Sequence, residues 1–318
     1  MKFRKAVFLF SLVFIATSFV ISKDKKPRIF ISTDIGGDDP DDYQSMVHLL
    51  IYADMFNIEG IISSPPGAGR SSHILECIDK YELDYPKLSS KSSEYPSPAY
   101  LRSVTKQGAT DPQQNEVPPV SISEGAQFII ERANASATDP LYVLVWGSIT
   151  DVAQAVYKDP EIKKKIRIYS IGSWNTMKDT KARDYLYYNH KDLWWIESNT
   201  SFRGMYLGGE QKEEYSNTGF VTKNIKDHGH LGDLFYQKKI DIKMGDTPSV
   251  LYMLNGDPSD PTSESWGGAF RADTHSVTYW TDKDEEILKE GQFKGAKTVN
   301  KWRKQYLDNW KERMKRIK

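Results

Sequence analysis

The chain has 318 residues, 39% hydrophobic and 27% charged, which is enough apolar content for a sizeable core in one large domain or two smaller ones. Its 43 Lys plus Arg balance 43 Asp plus Glu, so there is no electrostatic footprint for nucleic acid. The single cysteine, Cys77, excludes an intramolecular disulfide and a cysteine-rich zinc site.

Lys2, Arg4 and Lys5 precede an apolar stretch from Ala6 to Ile21, and "SKDKKPR" then turns polar. A positive start, an apolar middle and a small residue at the exit read as a secretory signal over 1–22, with Ser22 at the boundary. The stretch is at the short edge for a bilayer span, which takes about 20 residues, so cleavage is expected rather than an uncleaved anchor. The remaining domain, 23–318, is then expected to be secreted or periplasmic, with no stable membrane span.

"RIFIST" (28–33) is a short apolar strand ending at Asp34. "DDYQSMVHLLIYAD" (41–54) has Met46, Leu49 and Leu50 at helical spacing, with Asp41 and Asp42 in the first turn, where negative charge meets the positive end of the helix dipole. "FNIEGIIS" (56–63) is a second strand, so this unit predicts a parallel sheet with a right-handed crossover. "SSHILECIDKYE" (71–82) is helix-like, and Cys77 within it is core filler. Frequent Pro and Ser between 84 and 120 predict a long surface excursion. "SEGAQFIIERANA" (123–135) is a helix with Ser123 as N-cap. "LYVLVW" (141–146) is a strand buried on both faces, followed by a helix over 150–159. "IRIYSIG" (166–172) and "DLWWIES" (192–198) are further strands. Beyond about 205 the pattern weakens. Val299, Trp302, Tyr306, Trp310 and Met314 then mark an amphipathic helix that closes on the body. The alternation predicts an α/β fold with an open, mainly parallel sheet flanked by helices.

"TDIGGDDPDD" crowds Asp34, Asp38, Asp39, Asp41 and Asp42 behind the first strand. Ligands of open α/β sheets bind at strand carboxyl ends. Carboxylates held together need protons or a cation, and a hard divalent ion with oxygen ligands resolves the repulsion. Gly36 and Gly37 let the backbone turn tightly there. The spacing is not that of an EF-hand, and neither a P-loop nor a serine nucleophile elbow is present.

This motif resembles the N-terminal aspartate motif of the nucleoside hydrolases. It is closer still to a nucleoside hydrolase-like family of exported bacterial proteins, some described as cellulose-binding. "LVWGSITDVAQAV" (144–156), "LWWIESNTSFRGMY" (193–206), "KMGDTPSVLY" (243–252) and "DPSDPTSESWGG" (257–268) resemble further family blocks in the same order. The resemblance implies Ca²⁺ as cofactor and an N-glycosidic substrate, a nucleoside or other small glycoside, with an oligosaccharide as the alternative ligand and a homo-oligomer left open. Asp34 matches the metal-binding general base. Asp38/Asp39 keep the family's spacing from Asp34, while Asp41/Asp42 keep its position before the helix; the second pair is favoured, with Asp42 on the metal. Trp146 matches the residue lending its backbone carbonyl, and Asp246 the last carboxylate. Glu197 and Asn199 match a pair gripping sugar hydroxyls. Where many relatives have a His before the late Asp, this chain has Gly245; His228 or His230 could substitute from a loop. Trp174 and Trp266 sit in expected loops, open between stacking on a ligand and packing. Loss of the His keeps a second class in play, a carbohydrate-binding protein with a retained metal site and little turnover. A metal-dependent phosphoesterase is the weakest reading, because no His-rich metal set accompanies the aspartates.

Overall fold

Side chains along the first strand alternate between two apolar layers. In β1 (Arg28–Thr33), Ile29 and Ile31 enter one core and Phe30 the other, all with no exposed surface. β4 (Leu141–Val145) does the same, with Tyr142 and Leu144 on the first side and Leu141, Val143 and Val145 on the second. Strands covered on both faces need no polar alternation, which is why both read as continuous apolar runs. The computed structural model describes residues 25–37, 39–66, 69–112 and 121–318. The expected leader over 1–22 lies outside them.

The remaining strands are β2 (Asn57–Ser63), β3 (Thr105–Gln107), β5 (Ile166–Ile171), β6 (Trp195–Ser198), β7 (Phe270–Asp273) and β8 (Ser276–Asp282). They form one 8-stranded sheet in the order β3-β2-β1-β4-β5-β6-β8-β7, parallel throughout except for the β7–β8 pair at the edge. The helices are α1 (Asp41–Ile51), α2 (Ser71–Lys91), α3 (Pro98–Ser103), α4 (Glu124–Asn134), α5 (Thr150–Lys158), α6 (Trp174–Lys178), α7 (Thr180–Asn189), α8 (Asn217–Asn224), α9 (Gly229–Lys238), α10 (Thr247–Leu254), α11 (Ala296–Asn300) and α12 (Arg303–Met314). Helices α4, α5 and α7 cover the Phe30 face; α1, α2, α8, α9, α10 and α12 cover the Ile29 face. The expected α/β architecture is present. Among the described residues no helix is long and apolar enough to cross a membrane.

Three sequence expectations need correction. The stretch from 84 is not simply a surface loop: α2 runs to Lys91 through Pro86. Tyr81, Asp84 and Leu88 are buried at helical spacing from Ile74, Cys77 and Ile78, and this packing outweighs the cost of the proline. The strand expected over 192–198 shortens to β6; Trp195 is core, while Trp194 packs partly buried against Tyr142 and Trp280. The closing helix is split into α11 and α12 around Lys301 and Trp302.

The split presents Arg303 inward with no exposed surface. Its guanidinium donates to the carbonyls of Glu210, Met205 and Tyr215 and to Asn217 Oδ1, at 2.6–3.2 Å. Along the same helix Trp310 meets Phe220, Phe235 and the buried His48 of α1, with ring centroids 5.3–5.4 Å apart. The last helix therefore buttresses α1, whose first turn carries Asp41 and Asp42.

Candidate metal centre

The sheet order reverses direction between β1 and β4, and the crevice beyond the carboxyl ends of such strands is where open α/β sheets bind ligands. Asp34 follows β1 and Trp146 follows β4, joined by a hydrogen bond from Trp146 N to Ser32 O of 2.7 Å. Gly147 is required by this juncture: a Cβ there would lie 2.8 Å from Asp34 Cβ and 2.9 Å from Ser64 Oγ. After Asp34 the chain turns back through Gly36 at φ +87°, with Gly37 N donating to Asp34 O at 2.9 Å. A Cβ on Gly36 would overlap the His73 ring, so this position needs glycine for both conformation and space. The turn delivers the chain to α1 with Asp41 and Asp42 at its start.

Carboxylate oxygens of Asp41, Asp42 and Asp246 lie within 4.8 Å of one another. Asp246 reaches the group from the N-terminus of α10. Asp34 and Asp42 influence each other's ionisation directly, and Thr33 Oγ1 donates to Asp42 Oδ1. Asp42 and Asp246 are buried, and Asp246 Oδ2 has no hydrogen-bond partner. Burial pushes the Asp34 carboxyl up to about 8. Burial and mutual repulsion hold Asp41, Asp42 and Asp246 well above the usual carboxylate range. Hydrogen bonds, such as that from Thr33 to Asp42, work against this rise, and Lys243, which favours the ionised form of Asp41, is the one cation among the leading influences on the four. Clustered buried carboxylates with an orphaned oxygen fit a cation in an all-oxygen site, the donor set of Ca²⁺, Mg²⁺ or Mn²⁺.

A cavity of about 600 Å³ opens over this floor. Its lining includes Asp34, Asp39, Asp41, Asp42, Asp246, Trp146 and Trp174 of the sequence-expected residues. The pair before the helix is thus the one that converges with Asp246. Asp39 is exposed and accepts from Asp41 N at 3.3 Å, while Asp38 lies outside the described residues. Trp174 is 54% exposed beside the cavity, with Lys178 Nζ 4.2 Å from its ring centroid.

Five other expected residues are elsewhere. Glu197 is buried with its oxygens already engaged by Arg183 at 2.7 and 3.1 Å, Thr176 at 3.2 Å, and Tyr279. It does not line the cavity. Asn199 accepts from Ser173 N at 2.9 Å and so fixes the start of α6 rather than facing the ligand space. Trp266 reaches toward Gln305, with Nε1 to Oε1 of 3.4 Å. His228 is buried at the N-terminus of α9 with Nδ1 2.9 Å from Lys226 O, and His230 pairs with Asp84. Neither histidine lines the cavity to replace the one missing at 245. A Cβ at Gly245 would meet Phe202 at 3.2 Å and Asp41 Oδ2 at 3.4 Å, so Phe202 occupies much of the room that a side chain there would use.

Sequence reasoning missed Asn175, whose Nδ2 donates to Trp146 O at 2.8 Å and Ile171 O at 3.1 Å, orienting the carbonyl expected to face the metal. It also missed Phe202, Arg203, Tyr206 and Lys243 in the lining. The available signal was position: Asn175 and Arg203 follow the carboxyl ends of β5 and β6, where such sites form.

The fold and site define an α/β protein with an acidic cavity at the switch point of its sheet. The chain belongs to the family described as "Cellulose-binding Sde182, nucleoside hydrolase-like domain", whose model matches residues 28–270. It is similar to a nucleoside hydrolase-related protein from Saccharophagus degradans associated with carbohydrate metabolism, at 24% identity and TM-score 0.73 over 92% of this chain and 72% of that one. It shares its fold with a plant nucleoside hydrolase (13% identity, TM-score 0.53, 92% and 99% covered) and with a purine-preferring ribonucleoside hydrolase from Gardnerella vaginalis (14%, 0.50, 91% and 98%). No protein of curated function matches the chain.

Proposed function

We propose that the protein is an exported, Ca²⁺-dependent hydrolase of N-glycosidic, ribosyl-type bonds. The observation that carries this reading is the convergence of Asp41, Asp42 and Asp246 beneath a cavity also lined by Asp34 and Trp146. Asp34, Asp42, Asp246 and the Trp146 carbonyl are the residues that would hold the ion. Bound there, Ca²⁺ supplies an electrophilic anchor for sugar hydroxyls and for the attacking water. Asp34, ionised once the cluster is compensated, accepts the water's proton; such general-base help is worth about 10²–10⁴-fold in rate. Asp41 hydrogen-bonds the sugar, Asn175 keeps the Trp146 carbonyl aimed, and the exposed face of Trp174 stacks on the ligand.

Gly245 favours a second reading, a carbohydrate-binding protein with little turnover. Gly245 has no side chain with which to protonate a leaving base, and a Cβ there would press on Phe202 at 3.2 Å. A panel of nucleosides, aryl glycosides and oligosaccharides, followed for sugar release with wild type and Asp34→Asn, separates the two. Release abolished by Asp34→Asn supports the hydrolase. Oligosaccharide binding without release by either protein supports the second reading.

A further inference from the structure

The cavity is acidic at its floor, yet three cations also line it: Lys178, Arg203 and Lys243. Among the described residues none of the three forms an ion pair with a carboxylate within 4.0 Å. Their contacts are instead with rings and neutral acceptors. Lys178 lies over Trp174 at 4.2 Å and Lys243 over Tyr206 at 4.5 Å. Arg203 is held between Phe202 and Phe293, at 4.5 and 4.8 Å, and donates to Asn199 O at 2.9 Å and Ser173 Oγ at 3.1 Å. A guanidinium has five N–H donors, so Arg203 is oriented by its neighbours with donors to spare.

Charge compensation of the floor does not account for all three. Lys243 favours ionised Asp41, but neither Lys178 nor Arg203 is among the leading influences on Asp34, Asp41, Asp42 or Asp246. The Ser173–Arg203 hydrogen bond also ties Arg203 to the start of α6, the helix that carries Trp174 and Lys178. Each of the three cations thus lies over a ring that also lines the cavity: Lys178 over Trp174, Arg203 over Phe202 and Lys243 over Tyr206. A neutral nucleoside or glucan offers these cations no counter-charge.

We propose that the ligand of this cavity carries an oxyanion, a phosphate or a carboxylate, which seats against Lys178, Arg203 and Lys243 while its sugar faces the acidic floor. The inference rests on the glycoside-site reading above and names the substrate class, a glycoside with an anionic substituent. Phosphorylated and uronic-acid sugars share this chemistry. Arg203 suits either, since its fork matches both groups bidentately.

The test is a binding measurement that needs no turnover. Asp34→Asn protein, with Ca²⁺ present, is titrated by calorimetry with ribose, ribose 5-phosphate, glucose and glucuronate. At least one anionic sugar should bind ten-fold or more tightly than its neutral counterpart, in line with hydrogen bonds to charged groups. That preference should weaken as salt rises and should fall about ten-fold in Lys178→Ala and further in Lys178→Ala/Lys243→Ala. Ribose 5-phosphate as the tighter ligand assigns a phosphate, and glucuronate a carboxylate. Equal affinity for charged and neutral sugars, no anionic binding at 10-fold millimolar excess, or a preference unchanged in the double variant overturns the proposal; the last outcome would mean that the anion sits on the cation itself. Persistent anion preference, together with a wild-type protein that releases no sugar from the nucleoside and glycoside panel, would refute the hydrolase and leave this inference standing.

Discussion

Asp151 offers a quantitative check on the interior. It lies in the first turn of α5 with no exposed surface. Its Oδ1 accepts from Ala109 N at 2.8 Å and from Ser123 Oγ, while Oδ2 has no partner. Burial raises its carboxyl from 3.8 to about 6 against these hydrogen bonds. The folded state thus binds this proton more tightly than the unfolded state. The extra stability is fully present below pH 3.8 and disappears as pH rises to about 6. The gap is worth about 3 kcal/mol, at 1.36 kcal/mol per pH unit. Other carboxylates titrate over the same range, so the measurement is a difference: urea unfolding of wild type and Asp151→Asn at several values between pH 4 and 7.5. The neutral amide mimics the protonated acid. Relative to the variant, wild type should lose about 3 kcal/mol as pH rises across this window. A difference flat with pH, or one growing in the opposite direction, would refute the reasoning.

Ca²⁺ at 100 times its dissociation constant should stabilise the protein by about 2.7 kcal/mol, visible as a raised Tm that chelation reverses and Asp246→Ala abolishes. Arg303→Met leaves buried carbonyls without donors and should cost about 3 kcal/mol or more by denaturant unfolding. Asp84 accepts from His230 N and Leu231 N at 3.0 and 2.8 Å at the start of α9, so Asp84→Ala should cost about 1–2 kcal/mol, read by the same unfolding. Gly36→Ala should weaken Ca²⁺ binding, measured by calorimetry, because the new Cβ collides with His73 in the turn that carries Asp34.

Central strands were legible because burial on both faces leaves an unbroken apolar run, as in β1 and β4. The β7–β8 edge pair was not: Val277 in β8 is 87% exposed, so no apolar run marks it. The convergence of Asp41 and Asp42 with Asp246 was readable because a helix start fixes where the chain points. Glu197 was read by its spacing from Asn199, but its partner Arg183 comes from α7, a tertiary contact that local pattern does not reveal. Arg203 and Lys243 were invisible for the same reason, since separate segments bring them to the cavity. α2 shows the converse, a helix whose buried stripe persists through residues that locally oppose it.

The edge-to-face contact of Trp310 with His48 joins the last helix to the one bearing the acidic pair. During synthesis the aspartate motif leaves the ribosome early, yet its supporting helix follows some 260 residues later in the order of the chain. Maturation of the site is therefore a late event. A nascent chain would carry its aspartates through most of folding without the helix that buttresses α1.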